Sequence, residues 1–190
     1  ISSEAAVVME NTTNTILYSK NADEVLFPGS TVKIMTCFLA LENTQLTDEV
    51  TMTATGVSGV TDGGASISSQ VDEVFTVEQC LYAIMVASAN DIALQIAEHV
   101  GGSVDGFVQQ MNTRAQELGC TNTVFTNPTG LPDDNQHTTA HDMALIMQAA
   151  IQNESFRTIA AATSYTIPAT NKAAARNLTS KFTMTDTGST

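Results

Sequence analysis

The sequence predicts an α+β fold, a helical cluster packed beside an antiparallel sheet. β-Rich runs stand at the start of the chain and again near its end, and segments with apolar residues at helical spacing fill the middle. A turn-forming cluster joins the first two runs, which makes them a hairpin.

Ala5-Ala6-Val7-Val8-Met9 and Thr15-Ile16-Leu17-Tyr18-Ser19 are the two hairpin strands, with Glu10 to Asn14 as the turn. Asn21 to Leu26 leads to a helix opened near Ser30 by Pro28-Gly29, with Ile34, Met35, Phe38, Leu39 and Leu41 at helical spacing. It should end near 41–43. Val50 to Thr53 reads as a short strand, and residues 56–70, with Gly63-Gly64, as a surface loop. Thr76-Val77-Glu78-Gln79 fits a capping box, in which the Thr hydroxyl and the Gln amide satisfy each other's backbone donors. The helix behind it runs to Val86. Ala87 to Asp91 interrupts the pattern, and Ile92 to His99 resumes it with small and apolar residues on most sides, as a central buried helix would.

Gly101-Gly102 ends that helix and Ser103 can cap the next, which reaches Leu118 with Phe107, Val108, Met111 and Ala115 inward and Gly119 at its end. Thr121 to Gln136 is a loop. Thr139-Ala140-His141-Asp142 opens another helix, with Asp142 as a structural residue of its first turn. Glu154 to Ala162 is a short helix and Tyr165 to Pro168 a strand. Ala169 to Thr190 is polar and poorly patterned. Two early strands and one late strand make a thin sheet whose edges ask for partners. No internal repeat or linker is evident, so residues 1–190 read as a single domain that looks unfinished at its C-terminus.

The 190 residues can bury one good core or two small lobes, and 43% of them are hydrophobic. No apolar run is long enough to span a membrane, and no signal segment opens the chain. A net charge of −13 argues against nucleic acid and against contact of this segment with an anionic membrane. Cys37, Cys80 and Cys120 are an odd, scattered set, read as buried free thiols rather than a disulfide framework or zinc site. His137 and His141 are four apart, but no Glu follows His137 as on a zinc helix. No metal and no cofactor is expected.

Two polar groupings carry chemistry. Ser30 and Lys33 share one helix face, which puts a hydroxyl beside an amine at a helix N-terminus. A desolvated lysine loses its proton more easily and can then take the serine's, and free N–H groups of the first turn can hold an oxyanion. Read alone, the same residues also fit an N-cap and a solvated lysine. Ser88-Ala89-Asn90 breaks an apolar run. It fits a helix end at Ser88 with Asn90 or Asp91 capping the next helix, or a second alcohol and a carboxamide facing Ser30 and Lys33.

Together these groupings resemble the penicillin-recognising serine acyltransferases. Phe27-Pro28-Gly29-Ser30-Thr31-Val32-Lys33-Ile34-Met35-Thr36 is similar to the P-A-S-T-T-K-I-M-T of the D-alanyl-D-alanine carboxypeptidases, the low-molecular-mass penicillin-binding proteins. Ser88-Ala89-Asn90-Asp91 resembles their S-G-N-D. Leu118-Gly119 with Asn127 to Leu131, Thr139 to Ala144, and Ile167 to Asn171 resemble further family stretches, in the family's order. The resemblance implies a β-lactamase/transpeptidase-like fold outside the cytoplasmic membrane. It implies Ser30 as acylated nucleophile, Lys33 as its base, Ser88 as proton relay and Asn90 as substrate holder. The substrate implied is a peptidoglycan stem peptide ending in D-Ala-D-Ala, and β-lactams would acylate Ser30 as its mimics.

One departure matters. The family's third motif, K-T-G, is missing, and Asp186-Thr187-Gly188 resembles it only in form. Truncation before that strand is expected in preference to a degenerate motif. The rival functions are a serine β-lactamase, disfavoured because residues 127–136 hold no Glu, and a non-catalytic cell-wall binding module.

Overall fold

The structure is a computed structural model that describes residues 2–59 and 64–180. Its first hairpin is β1 (Ala6–Met9) and β2 (Ile16–Lys20), paired antiparallel with Val8 opposite Tyr18 and a register shift at Met9. Glu10 closes the turn by accepting from the backbone N–H groups of Thr12 and Thr13. Val8, Ile16, Leu17 and Tyr18 stay largely exposed, with Leu17 on the opposite face of the hairpin from Ile16 and Tyr18.

Helix α1 (Val32–Asn43) follows a short 3₁₀ turn, Gly29–Thr31. Its residues Val32, Lys33 and Met35 to Ala40 are buried, so it is a core helix from its first turn. Strand β3 (Glu49–Thr51) and helix α2 (Ala54–Ser58) come next, then β4 (Val74–Thr76), antiparallel to β3. Helix α3 (Val77–Ala87) starts at Thr76 with both halves of the expected capping box formed. Helix α4 (Asn90–Gly101) packs against α1, α2, α3 and α5 (Val104–Glu117). Its Ile92, Ala93, Ile96 and Ala97 are fully buried, which makes it the centre of the cluster. Helix α6 (Ala140–Ala150) lies against α1 and β1, and α7 (Glu154–Ala160) against α1 and α3.

The α+β class stands, with the helices clustered as expected, but the strands differ from the sequence reading. Strand β5 (Ser164–Ile167) does not join the N-terminal pair. It pairs with β6 (Arg176–Thr179), and the described strands form three separate two-stranded ribbons. Strand β6 lies in a stretch too polar to show alternation. It is held because Arg176 reaches the fully buried carboxylate of Glu73 at 2.8 and 3.0 Å and lies over the ring of Phe75. Thr170 adds a hydroxyl to the same carboxylate, and Asn171 pairs its amide with the backbone of Asp72 and Val74. Tyr165 stacks on Tyr82 at 3.9 Å, tying the ribbon to α3.

Helix α2 and strand β4 also escaped the sequence reading, being short and polar-flanked within or beside the expected loop. Of the Gly63-Gly64 pair, Gly63 lies outside the described residues, as does Asp186-Thr187-Gly188. The three cysteines are buried and free. No described helix is long and apolar enough to cross a membrane.

Candidate active site

Residues 26–31 are aimed by pairing to a distant loop. Leu26 and Thr138 exchange backbone hydrogen bonds at 2.9 and 3.0 Å, fixing the chain's path just before the 3₁₀ turn. The serine does not cap α1, contrary to the simplest reading of its position. Thr31 occupies the cap position, and its hydroxyl donates back to the Pro28 carbonyl. Ser30 is therefore left exposed with its hydroxyl free for other partners.

Those partners are Lys33 and Ser88. Lys33 Nζ lies 3.5 Å from Ser30 Oγ, and Ser88 Oγ lies 3.3 Å from the same oxygen. Both contacts are long for hydrogen bonds, as proton-transfer contacts often are before substrate tightens them. Lys33 is only 3% exposed, and its ammonium also donates to the Thr129 carbonyl. Burial pushes its pKa down from 10.5 to about 8, against a smaller opposing effect from the Cys37 thiol. The position inside the first turn of α1, where the helix dipole disfavours a cation, acts in the same direction. An amine near neutrality, a hydroxyl within reach and N–H groups of a first helical turn form an arrangement suited to acyl transfer.

Ser88 ends α3 with φ +56°, left-handed backbone that costs a non-glycine residue of order 1 kcal/mol. That turn points the chain back toward Ser30 and leaves Ala89 as the N-cap of α4, without a side-chain cap. Neither Asn90 nor Asp91 caps the helix. Asn90 is 4% exposed, its N–H donates to the Ala65 carbonyl at 2.8 Å, and its carboxamide bonds to no described residue. Asp91 instead fastens the overlying segment. Its carboxylate accepts from the Ser66 hydroxyl and from both the N–H and the hydroxyl of Ser69.

The sequence reading gave no role to Asn127-Pro128-Thr129-Gly130-Leu131, which forms the floor beneath Lys33. Asn127 Oδ1 accepts from the N–H of Thr129, the hydroxyl of Thr129 and the N–H of Gly130, while its Nδ2 donates to the Leu131 carbonyl. This turn presents the Thr129 carbonyl to Lys33 and the Pro128 carbonyl to the buried Thr36 hydroxyl. Gly130 (φ +80°) passes so close that a Cβ would sit 1.9 Å from the Gly29 carbonyl oxygen. The turn-forming N-P-T-G composition was the available signal, but turn propensity does not say which distant residue a turn serves.

His137 bonds within its own loop, and His141 lies 3.5 Å from an Asp23 carboxylate oxygen. Asp142 accepts from the Asn122 N–H and the Thr123 hydroxyl, a structural arrangement. Among the described residues no three His, Cys, Asp or Glu side chains converge as a metal site would require.

A family model described as D-alanyl-D-alanine carboxypeptidase matches residues 1–189. The chain belongs to the D-alanyl-D-alanine carboxypeptidase family. Members of that family with curated names include DacF of Bacillus subtilis, 38% identical over 157 residues, which are 80% of this chain and 40% of that protein. DacC of Escherichia coli is 33% identical over 162 residues, again 80% of this chain and 40% of the relative. A crystal structure of a mutant Streptomyces DD-transpeptidase matches with a TM-score of 0.91 at 30% identity, covering 100% of this chain and 78% of that one. That of DacD from Francisella tularensis matches with a TM-score of 0.83 at 31% identity, covering 93% of this chain and 43% of that one. The chain thus spans about two fifths of the length of the first two curated relatives.

Proposed function

We propose that the protein containing this chain is a serine D,D-carboxypeptidase that removes the terminal D-alanine from peptidoglycan stem peptides. The observation that carries the reading is the convergence of Ser30, Lys33 and Ser88 around one hydroxyl oxygen, with Lys33 buried and its pKa near 8. Family membership supplies the substrate class.

Neutral Lys33 takes the Ser30 proton as Ser30 Oγ attacks the carbonyl carbon of the penultimate D-alanine. The Ser30 N–H, in the 3₁₀ turn that leads into α1, stabilises the resulting oxyanion. Ser88 gives its hydroxyl proton to the departing amine nitrogen and takes the proton held on Lys33 in its place, so the C–N bond breaks and D-alanine leaves with Lys33 neutral again. Lys33 then takes a proton from the attacking water and returns it to Ser30 Oγ as the ester C–O bond breaks. The Asn90 carboxamide, on a residue only 4% exposed and bonded to no described residue, holds the substrate's peptide group. β-Lactams acylate Ser30 in place of the peptide.

Residues 1–190 are read as one domain to which further strands of the full-length protein add. The exposed apolar side chains of the β1–β2 hairpin and the greater length of the relatives support this. Action on cell-wall peptides implies a location outside the cytoplasmic membrane. The test is D-alanine release from a D-Ala-D-Ala peptide by the full-length gene product. Release that disappears in Ser30→Ala is expected. A full-length product that releases none and takes no penicillin label would make it a non-catalytic wall-binding module, and one that sheds label rapidly would be a β-lactamase.

A further inference from the structure

Beside Ser30, on the side of Gly29, opens a cavity of about 270 Å³ with mostly apolar walls. Phe27 (70% exposed), Pro28, Leu131 and Pro132 form those walls, and Asp133 and Asp134 line the same cavity. Its frame is built before any ligand arrives. Gln136, 2% exposed, accepts from the N–H groups of Thr126 and Asn127 and donates to the Leu131 carbonyl, which Asn127 Nδ2 also reaches. The near-contact of Gly130 with Gly29 fixes the cavity against the serine.

The charges are unbalanced. Among the described residues the Asp133 carboxylate accepts only from the Asn135 N–H, and Asp134 has neither a hydrogen bond nor an ion pair. No described Lys, Arg or His lines the cavity. An exposed aromatic face beside two carboxylates without a cation suits one kind of group, an ammonium on an aliphatic arm: the arm lies on Phe27 and Leu131 and the charge faces the carboxylates and the ring.

The same charges decide which half of the substrate lies here. The departing D-alanine ends in a carboxylate, which Asp133 and Asp134 repel. Of the two halves, the acyl half is the one this cavity can receive. In lysine-type stem peptides the residue before the D-Ala-D-Ala pair carries a side-chain amine. Resting on the carboxypeptidase reading above, we propose that this cavity is the subsite for that amine, so that the enzyme prefers lysine-type stem peptides with a free side-chain ammonium.

The test compares two peptides ending in Lys-D-Ala-D-Ala, one with a free and one with an Nε-acetylated lysine, on the full-length protein. Fluorescent penicillin, which carries no such arm, is run alongside. The free amine should be favoured about tenfold in kcat/KM at low ionic strength, an advantage that shrinks at 0.5 M salt as screening removes it. In the double variant Asp133→Asn, Asp134→Asn the ratio should fall to within about twofold; asparagine keeps the acceptor for the Asn135 N–H and removes only charge. Equal kcat/KM for the two peptides in the wild type, with penicillin labelling intact, overturns the subsite and leaves the carboxypeptidase reading standing. Failure of labelling and of both hydrolyses overturns the reading beneath it as well.

Discussion

Lys33 should make acylation of Ser30 depend on pH in a specific way. The amine must be neutral to accept the serine proton. With a folded pKa of about 8, the neutral fraction is about 9% at pH 7, about 50% at pH 8 and about 90% at pH 9. The second-order rate constant for fluorescent-penicillin acylation should thus rise about tenfold from pH 7 to pH 9 and then level off. The assay is a stopped-time labelling series from pH 6 to pH 10. A rate that still rises about 2.5-fold between pH 9.5 and pH 10, as an unshifted pKa of 10.5 would give, would mean that burial does not shift this lysine. A flat profile would mean that Lys33 is not the base. Stability carries the same signature. The folded pKa lies below the unfolded value, so the native state binds fewer protons between about pH 8 and pH 10.5. Stability from this group must rise with pH through that window and be constant below it. The Tm of the wild type should accordingly gain on that of Lys33→Met between pH 8 and pH 10.

Gly130→Ala should destabilise by more than about 2 kcal/mol, since the left-handed backbone costs about 1 kcal/mol and the Cβ also meets the Gly29 carbonyl. Gly119→Ala, at φ +84° in open space, should show only the backbone part; equal losses in urea unfolding would rule out the close approach. Glu73→Ala leaves Arg176 uncompensated beside a buried site and should cost about 3 kcal/mol. Burial of Glu73 raises its pKa, but bonds from Arg176, Thr170 and the Gln70 N–H outweigh it and hold the carboxyl low, so its contribution is present above the usual carboxylate pKa and lost as pH falls through the lower folded value. Asn90→Ala should leave Tm nearly unchanged, because its carboxamide has no partner among the described residues to lose, while D-alanine release falls at least about tenfold; a large Tm loss with normal turnover would make Asn90 structural.

The legible parts of the fold were those with a strong local signal. The Thr76 capping box, the apolar spacing of α1 and the glycine-marked ends of α4 and α5 are written in neighbouring residues. Strand β6 was not legible. Its place depends on Arg176 finding Glu73 more than a hundred residues away, a contact that no window of sequence contains. The site divides in the same manner. Ser30 and Lys33 were visible as a pair because one helical turn relates them, and their resemblance to a family motif extended the pattern to Ser88 and Asn90. The Thr129 carbonyl under Lys33 and the Asp91 carboxylate over residues 66–69 were invisible, because a backbone carbonyl has no sequence signature and a buried acid reads like any first-turn acid. The expectation that Asn90 or Asp91 caps α4 failed because the Ser88 turn delivers Ala89 to that position, and both polar side chains turn to other work.

The central claim is that the Ser30 oxygen is the group that becomes acylated. The full-length protein, treated with penicillin, digested and mapped by mass spectrometry, should carry one penicilloyl adduct, on the peptide containing Ser30, and Ser30→Ala should carry none. An adduct on another residue, or one that persists in Ser30→Ala, would contradict the account.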